Sequence, residues 1–206
     1  MKETHASLKY NKYSLLFLVI WFFLGAVALV VIQKGDLVLY FDNHRSPLLT
    51  FVFYTATTLA EPLICIVVCL LFILFNWRKG LFIVLAIVLN TVFVQFLKRV
   101  VFSDWHRPSV GLEGQLTGID GFYLNQSFSF PSGHTMAGTT LFLVSSLLIE
   151  NKWIKLLLVA LIPFIALSRV YLAQHYLQDV VMGGTLGLIC SMVYYQLYNS
   201  TPLRIK

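Results

Sequence analysis

The sequence predicts an all-α fold, an integral membrane bundle of six transmembrane helices with both termini in the cytoplasm. Three observations lead there. Of the 206 residues, 58% are hydrophobic and only 12% are charged, and the mean hydropathy is +0.80; soluble chains carry about 25% charge. A soluble domain of this size cannot hide so much apolar surface. The apolar residues also gather into long runs, and about 20 such residues cross a hydrocarbon core as a helix. Finally, the charged residues crowd the ends of those runs. The same composition excludes disorder, a coiled coil and a cytosolic enzyme.

Ser14 to Ile32 is the first span. It is of full span length and lacks a small-residue cleavage site, so it reads as a span and not as a cleavable signal peptide. The run from Leu48 to Phe75 is too long for one simple helix and holds Glu61-Pro62 near its middle. We read an interfacial stretch over 48–59, then a second span opening near Pro62, where proline suits a first helical turn. A charged turn, Asn76-Trp77-Arg78-Lys79-Gly80, precedes the third span, Leu81 to Leu97. Thr135 to Ile149 is the fourth, Ile154 to Leu167 the fifth and Val180 to Leu197 the sixth. These last three are short, so their ends run into the interface. A long polar insert, residues 99–130, separates spans three and four. With no repeat or low-complexity tract, residues 1–206 read as a single domain. Cys65, Cys69 and Cys190 lie inside apolar runs and read as small core residues, and Trp21, Trp77, Trp105 and Trp153 as interfacial belts.

Six spans put both termini on one side, and the positive-inside rule selects it. With the termini in the cytoplasm, Lys2, Lys9, Lys12, Arg78, Lys79, Lys152, Lys155, Arg204 and Lys206 are inside. Lys34, Arg45, Lys98, Arg99, Arg107 and Arg169 are outside. The net charge of +6 therefore reads as topology and not as nucleic-acid binding. The bias sharpens if the last four outer residues serve a function.

Three clusters fall on that outer face. Lys98-Arg99 closes span three and leads to Trp105-His106-Arg107-Pro108. Phe130-Pro131-Ser132-Gly133-His134 opens span four. Ser168-Arg169, His175 and Asp179 lie between spans five and six. Ionisable groups near a bilayer are costly and commonly functional. Arginines and a lysine offer donors to a tetrahedral oxyanion. Pro131-Ser132-Gly133 before an apolar helix presents free backbone N–H groups at a positive dipole end, and glycine lets an anion approach. His175 and Asp179 are four apart and share a face on a helix, so the carboxylate can hold one ring nitrogen and leave the other as nucleophile or base. His134 remains as a general acid. Each cluster alone has a plain reading: a helix start, an interfacial hydrogen-bonded pair, a snorkelling span end. Together, in order and on one face, they are the parts for phosphoryl transfer.

These residues resemble the type 2 phosphatidic acid phosphatase (PAP2) and vanadium haloperoxidase superfamily. Its pattern is a basic residue followed by Arg-Pro, then Pro-Ser-Gly-His, then Ser-Arg-x5-His-x3-Asp. The second motif reads Pro131 to His134 and the third Ser168-Arg169, His175, Asp179, both without deviation. The first departs: six residues usually separate the lysine from Arg-Pro, but Arg99 leaves seven and Lys98 eight. Arg107 carries over; the lysine role falls on Lys98 with Arg99 as rival. The resemblance implies that His175 attacks phosphorus, Asp179 orients it and His134 protonates the leaving group. Lys98, Arg107, Arg169, Ser132 and the Gly133 amide would hold the equatorial oxygens. It also implies that no metal or other cofactor is needed, and the sequence has no ligand cluster. Glu61 lines the mouth of the site or sits in the interface beside Pro62. Arg45 and Tyr171 are within reach of a lipid headgroup, although nothing in their spacing assigns that contact.

The haloperoxidase branch is soluble, so the membrane lipid phosphatase branch is expected. Its substrate would be a lipid phosphate or pyrophosphate entering from the bilayer at the periplasmic leaflet of a bacterial inner membrane. Phosphatidate, phosphatidylglycerol phosphate, undecaprenyl pyrophosphate and lipid A phosphates present the same oxyanion. Nothing in the sequence sets an oligomeric state. The alternative class is a polytopic transporter or channel for an anionic substrate, which predicts polar residues at mid-membrane depth.

Overall fold

The computed structural model describes residues 5–200, with side chains from residue 11 onward. The side chains of Lys2, Lys9, Arg204 and Lys206 lie outside the described part. Among the described residues there are helices and no strands: α1 (His5–Val31), α2 (Asp36–Asn43), α3 (Pro47–Thr58), α4 (Pro62–Phe75), α5 (Trp77–Phe96), α6 (Pro108–Gly111), α7 (Gly133–Leu148), α8 (Lys152–Tyr171) and α9 (Leu177–Ser200). A π turn, Leu97–Val101, continues α5.

Four helical segments are long and apolar enough to cross a membrane: Asn11–Val31, Trp77–Val101, Lys152–Tyr171 and Leu177–Ser200. A fifth is the pair α3 and α4, bent by 53° at the break between them. The bend follows from sequence: Glu61 is extended at the N-cap of α4, and Pro62 opens the helix where its missing N–H costs nothing. The sixth expected span is α7. Its 16 residues extend about 24 Å, short of a hydrocarbon core about 30 Å thick.

α7 is nonetheless the centre of the bundle. It is buried along almost its whole length and packs against α5, α8 and α9. Helices in lipid associate through close backbone approach at small residues, and α9 supplies Gly183 and Gly187. A Cβ on Gly187 would lie 2.8 Å from Thr139 Cβ and 2.9 Å from the Met136 carbonyl; one on Gly183 would lie 2.5 Å from the Ser132 carbonyl. α1 covers α8 and α9 from one side, α3 packs on α8, and α4 packs on α5.

Two expected local features differ. Trp77–Gly80 is not a turn. It is the first turn of α5, because Asn76 caps the helix by accepting a hydrogen bond from the Lys79 N–H at 3.2 Å. Arg45 is not free for a headgroup: it forms a 2.7 Å ion pair with Asp42. Asp42 also accepts bonds from Thr117 N (2.7 Å), Thr117 Oγ1 (2.8 Å) and Gly118 N (3.3 Å), so this buried carboxylate ties the insert to α2. Tyr171 is buried against Phe41 and Phe53.

Candidate active site

The three sequence clusters converge at one end of the bundle, around the start of α7. Ser132 is its N-cap, and its Oγ accepts from Thr135 N (3.4 Å) and from Thr135 Oγ1 (3.0 Å). The Ser132 N–H, expected to be free for an anion, instead donates to the Asp179 carbonyl at 2.9 Å. That bond locks the starts of α7 and α9 together. Gly133 is the first helical residue, and a Cβ there would stand 3.9 Å from Lys98 Nζ, so the lysine lies beside the helix N-terminus.

The π turn decides the direction of the first cluster. The Phe102 N–H reaches back five residues to the Leu97 carbonyl at 2.8 Å, and such wide turns recur at functional sites. Lys98 is turned inward and buried, its Nζ donating to the Phe128 carbonyl at 2.8 Å. Arg99 points outward: its Nε donates to Gln95 Oε1 at 3.1 Å, and its guanidinium lies over the Phe128 ring. Of the two rivals, only Lys98 faces the other clusters.

His175 is 1% exposed and lies in the turn before α9. Its expected placement on a shared helix face with Asp179 is therefore incorrect, because α9 begins only at Leu177. The pair still meets, with His175 Nδ1 3.2 Å from Asp179 Oδ2. The same Oδ2 accepts from Ser129 Oγ (2.5 Å) and from the Tyr176 N–H (3.0 Å). With Nδ1–H donating to a carboxylate, the His175 Nε2 keeps its lone pair. Burial holds the His175 pKa well below the ordinary histidine value, and the charges of Arg107, Lys98, Arg169 and His134 push the same way. His175 is thus neutral at neutral pH.

Arg107 and Arg169 are both buried. Arg107 Nε donates to the Ser127 carbonyl (2.9 Å), and Nη1 donates to the Gln174 carbonyl and to Gln174 Oε1 (3.0 Å each). Arg169 Nη1 donates to Thr57 Oγ1 at 2.5 Å, and its buried Nε has no hydrogen-bond partner among the described residues. A buried unpaired guanidinium N–H is costly unless an acceptor reaches it. His134 Nε2 lies 3.4 Å from Glu61 Oε1. Of the two readings of Glu61, the geometry selects the mouth: the bend between α3 and α4 carries Thr57 and Glu61 to a cavity of about 200 Å³ lined also by Tyr123, Asn125, His134 and Arg169.

Two residues escaped the sequence reading. Ser129 supports Asp179. Gln174, 2% exposed, accepts from Arg107 Nη1 and Asn125 Nδ2 through one oxygen (3.0 Å each) and donates to the Tyr123 carbonyl at 2.8 Å. Gln174 precedes His175 directly, which is the only sequence signal it offered. His106 is exposed. Among the described residues no group of three His, Cys, Asp or Glu side chains is placed to hold a metal ion.

A family model, that of the PAP2 superfamily, matches residues 79–202. A lipid A 4'-phosphatase of Porphyromonas gingivalis is 26% identical over 172 residues, covering 80% of this chain and 72% of that protein. Among solved structures, the crystal structure of Aquifex aeolicus LpxE superposes with a TM-score of 0.68 at 29% identity, covering 79% of this chain and 94% of that one. The first transmembrane PAP2-type phosphatidylglycerolphosphate phosphatase from Bacillus subtilis has the same fold, with a TM-score of 0.67 at 20% identity over 93% of this chain and 100% of that one.

Proposed function

The chain belongs to the PAP2 superfamily, and from that premise we propose that it is a membrane phosphatase that hydrolyses a lipid phosphate or pyrophosphate through a phosphohistidine. One observation carries this reading. Two histidines, a carboxylate, a lysine and two arginines, drawn from three separate stretches of sequence, meet at the N-terminus of α7.

Each residue has a role in that reaction. The His175 Nε2 attacks phosphorus while Asp179 holds Nδ1–H and stabilises the cation that forms. The bond from phosphorus to the leaving oxygen breaks, and His134 gives that oxygen its proton. A water then attacks the phosphohistidine; His134 takes its proton, and inorganic phosphate leaves with His175 restored. Lys98, Arg107 and Arg169, with Ser132 and the Gly133 amide, bind the three equatorial oxygens, where the transition-state charge collects. Arg99 has no part, and Glu61 faces His134 and fixes its ring. No metal enters the scheme.

The lipid tail stays in the bilayer and enters between helices, beside the bend of α3 and α4. The phosphates of lipid A are the first substrates to test, since the P. gingivalis relative bears that activity in its name and spans 80% of this chain. Phosphatidate, phosphatidylglycerol phosphate and undecaprenyl pyrophosphate complete the panel. We place six crossings in the membrane, counting the bent pair and α7, with both termini cytoplasmic and the site facing the periplasm from the inner membrane. Charge supports this placement: Arg78 and Lys79 begin α5, and Lys152 begins α8, at the end away from the site.

Phosphate release from these lipids by protein purified in detergent tests the reading. His175→Ala is expected to lower release at least about a thousandfold, and vanadate to compete at the phosphate site. Undiminished release by that variant removes His175 as nucleophile. No release from any lipid, with anion flux in liposomes, replaces the enzyme by a transporter.

A further inference from the structure

Two adjoining cavities lie between α1 and the α8–α9 pair, and they share no lining residue with the catalytic mouth. The more apolar one, about 250 Å³, is a slot between the face of α1 that carries Trp21, Leu24 and Ala28, with Ile32 just past its end, and Ala166, Leu167, Val180 and Val181. The other, about 270 Å³, adds Gln33, Lys34, Tyr176 and Gln178. Ile32, Leu37 and Leu177 line both, so an apolar slot opens directly into a polar head.

We propose that this groove binds an anionic membrane phospholipid, with one acyl chain in the slot and the phosphodiester at Lys34. Length agrees with the chain. From Trp21 to Ile32 the slot runs about 16 Å along α1, half the thickness of a hydrocarbon core of about 30 Å. It therefore spans a single leaflet, the one at whose surface the catalytic end lies. Its walls are apolar side chains, with the small Ala28 on α1 facing it, while Gly25 lets Val181 of α9 pack closely, a Cβ there lying 2.8 Å from Val181 Cγ2.

Charge agrees with the headgroup. Lys34 Nζ stands 4.7 Å from the Tyr176 ring centroid and 5.6 Å from that of Trp105, so two aromatic faces hold an exposed ammonium at the top of the slot. It makes no salt bridge among the described residues, Asp36 two positions on included. Gln33 and Gln178 add amide groups at the same level. A zwitterionic lipid brings a second, positive charge to this lysine; an anionic one brings only its complement. A phosphodiester has no terminal phosphate, so the occupant is not a substrate of the site on the other side of α8. Tyr176, whose ring carries Lys34, donates its backbone N–H to Asp179, so the occupant rests one residue from His175.

Native mass spectrometry of the full chain in detergent tests this, with phosphatidylglycerol and phosphatidylcholine as probes. Wild type is expected to retain phosphatidylglycerol about fivefold more tightly, the equivalent of about 1 kcal/mol for one lysine against an anionic lipid. Lys34→Gln, a change at an exposed side chain, is expected to erase that preference. Ala28→Trp, which fills the slot, is expected to lower retention of both lipids. Equal retention of the two by wild type, or an unchanged preference in Lys34→Gln, overturns the headgroup site. Undiminished retention by Ala28→Trp overturns the slot.

Discussion

Asp179 Oδ2 is the atom on which the insert, the α8–α9 turn and the proposed nucleophile all depend, since Ser129, the Tyr176 amide and His175 share it. Burial, reinforced by the charges of Arg107, Lys98 and Arg169, keeps His175 neutral, which has a measurable consequence. A nucleophilic histidine with a lowered pKa loses activity on the acid side only below the ordinary histidine value of about 6.5, so the acid limb of kcat/KM assigned to the free enzyme is expected below that pH. Arg107→Ala removes the largest charge acting on His175 after burial, and the limb is expected to move up toward pH 6.5 as activity falls. A limb that stays in place or moves down contradicts the assignment. Gln174 acts through Arg107. Gln174→Ala removes one of the two Nη1 acceptors, and since hydrogen bonds to charged groups contribute about 1.5–3 kcal/mol, kcat/KM is expected to fall about tenfold to a hundredfold. Vanadate should weaken in parallel while Tm holds, a pattern that loss of packing would not produce.

At the scale of elements, the site is held by close approach between helices and by an anchored insert. Gly187 lets α9 meet α7 at backbone distance, and the atoms a side chain would strike include a carbonyl, which cannot swing away. Gly187→Val is therefore expected to destabilise the protein by about 1–3 kcal/mol, read as a lower Tm in detergent, whereas Ile189→Val on the exposed face leaves Tm unchanged. The insert depends on Asp42, which bonds Thr117, Gly118 and Arg45 from α2. Asp42→Asn is expected to speed proteolysis within 113–121 severalfold and to raise KM more than it lowers kcat, because the proposed catalytic groups lie elsewhere. Equal cleavage rates in the two proteins would remove the anchor. The bend between α3 and α4 has a similar delivering role for Thr57 and Glu61. Glu61-Pro62 marked that break in the sequence, but its direction came from packing of α3 on α8.

For the whole molecule, orientation is the claim that composition carries furthest. In a background without the native cysteines, Glu113→Cys in the insert is expected to react with a membrane-impermeant maleimide on intact spheroplasts, and Arg78→Cys only after permeabilisation. The reverse pattern inverts the topology. The positive-inside count did not require the structure, whereas the depth of α7 did. A 16-residue helix that passes no simple length test sits at the centre because its neighbours, not lipid, surround it.

Read alone, the sequence identifies an apolar, all-helical membrane protein of the PAP2 type and singles out, in chain order, Arg107, His134, Arg169, His175 and Asp179. Hydropathy and motif spacing are properties of the covalent chain and survive any packing. Directions and partners came from the folded helices: Lys98 inward and Arg99 outward at a π turn, Glu61 against His134, the Ser132 amide spent on Asp179, and Gln174 and Ser129 brought in as supports. Those contacts join residues as far as 73 positions apart. Hydrogen bonds of that separation depend on how helices twist and meet, and no local spacing records it.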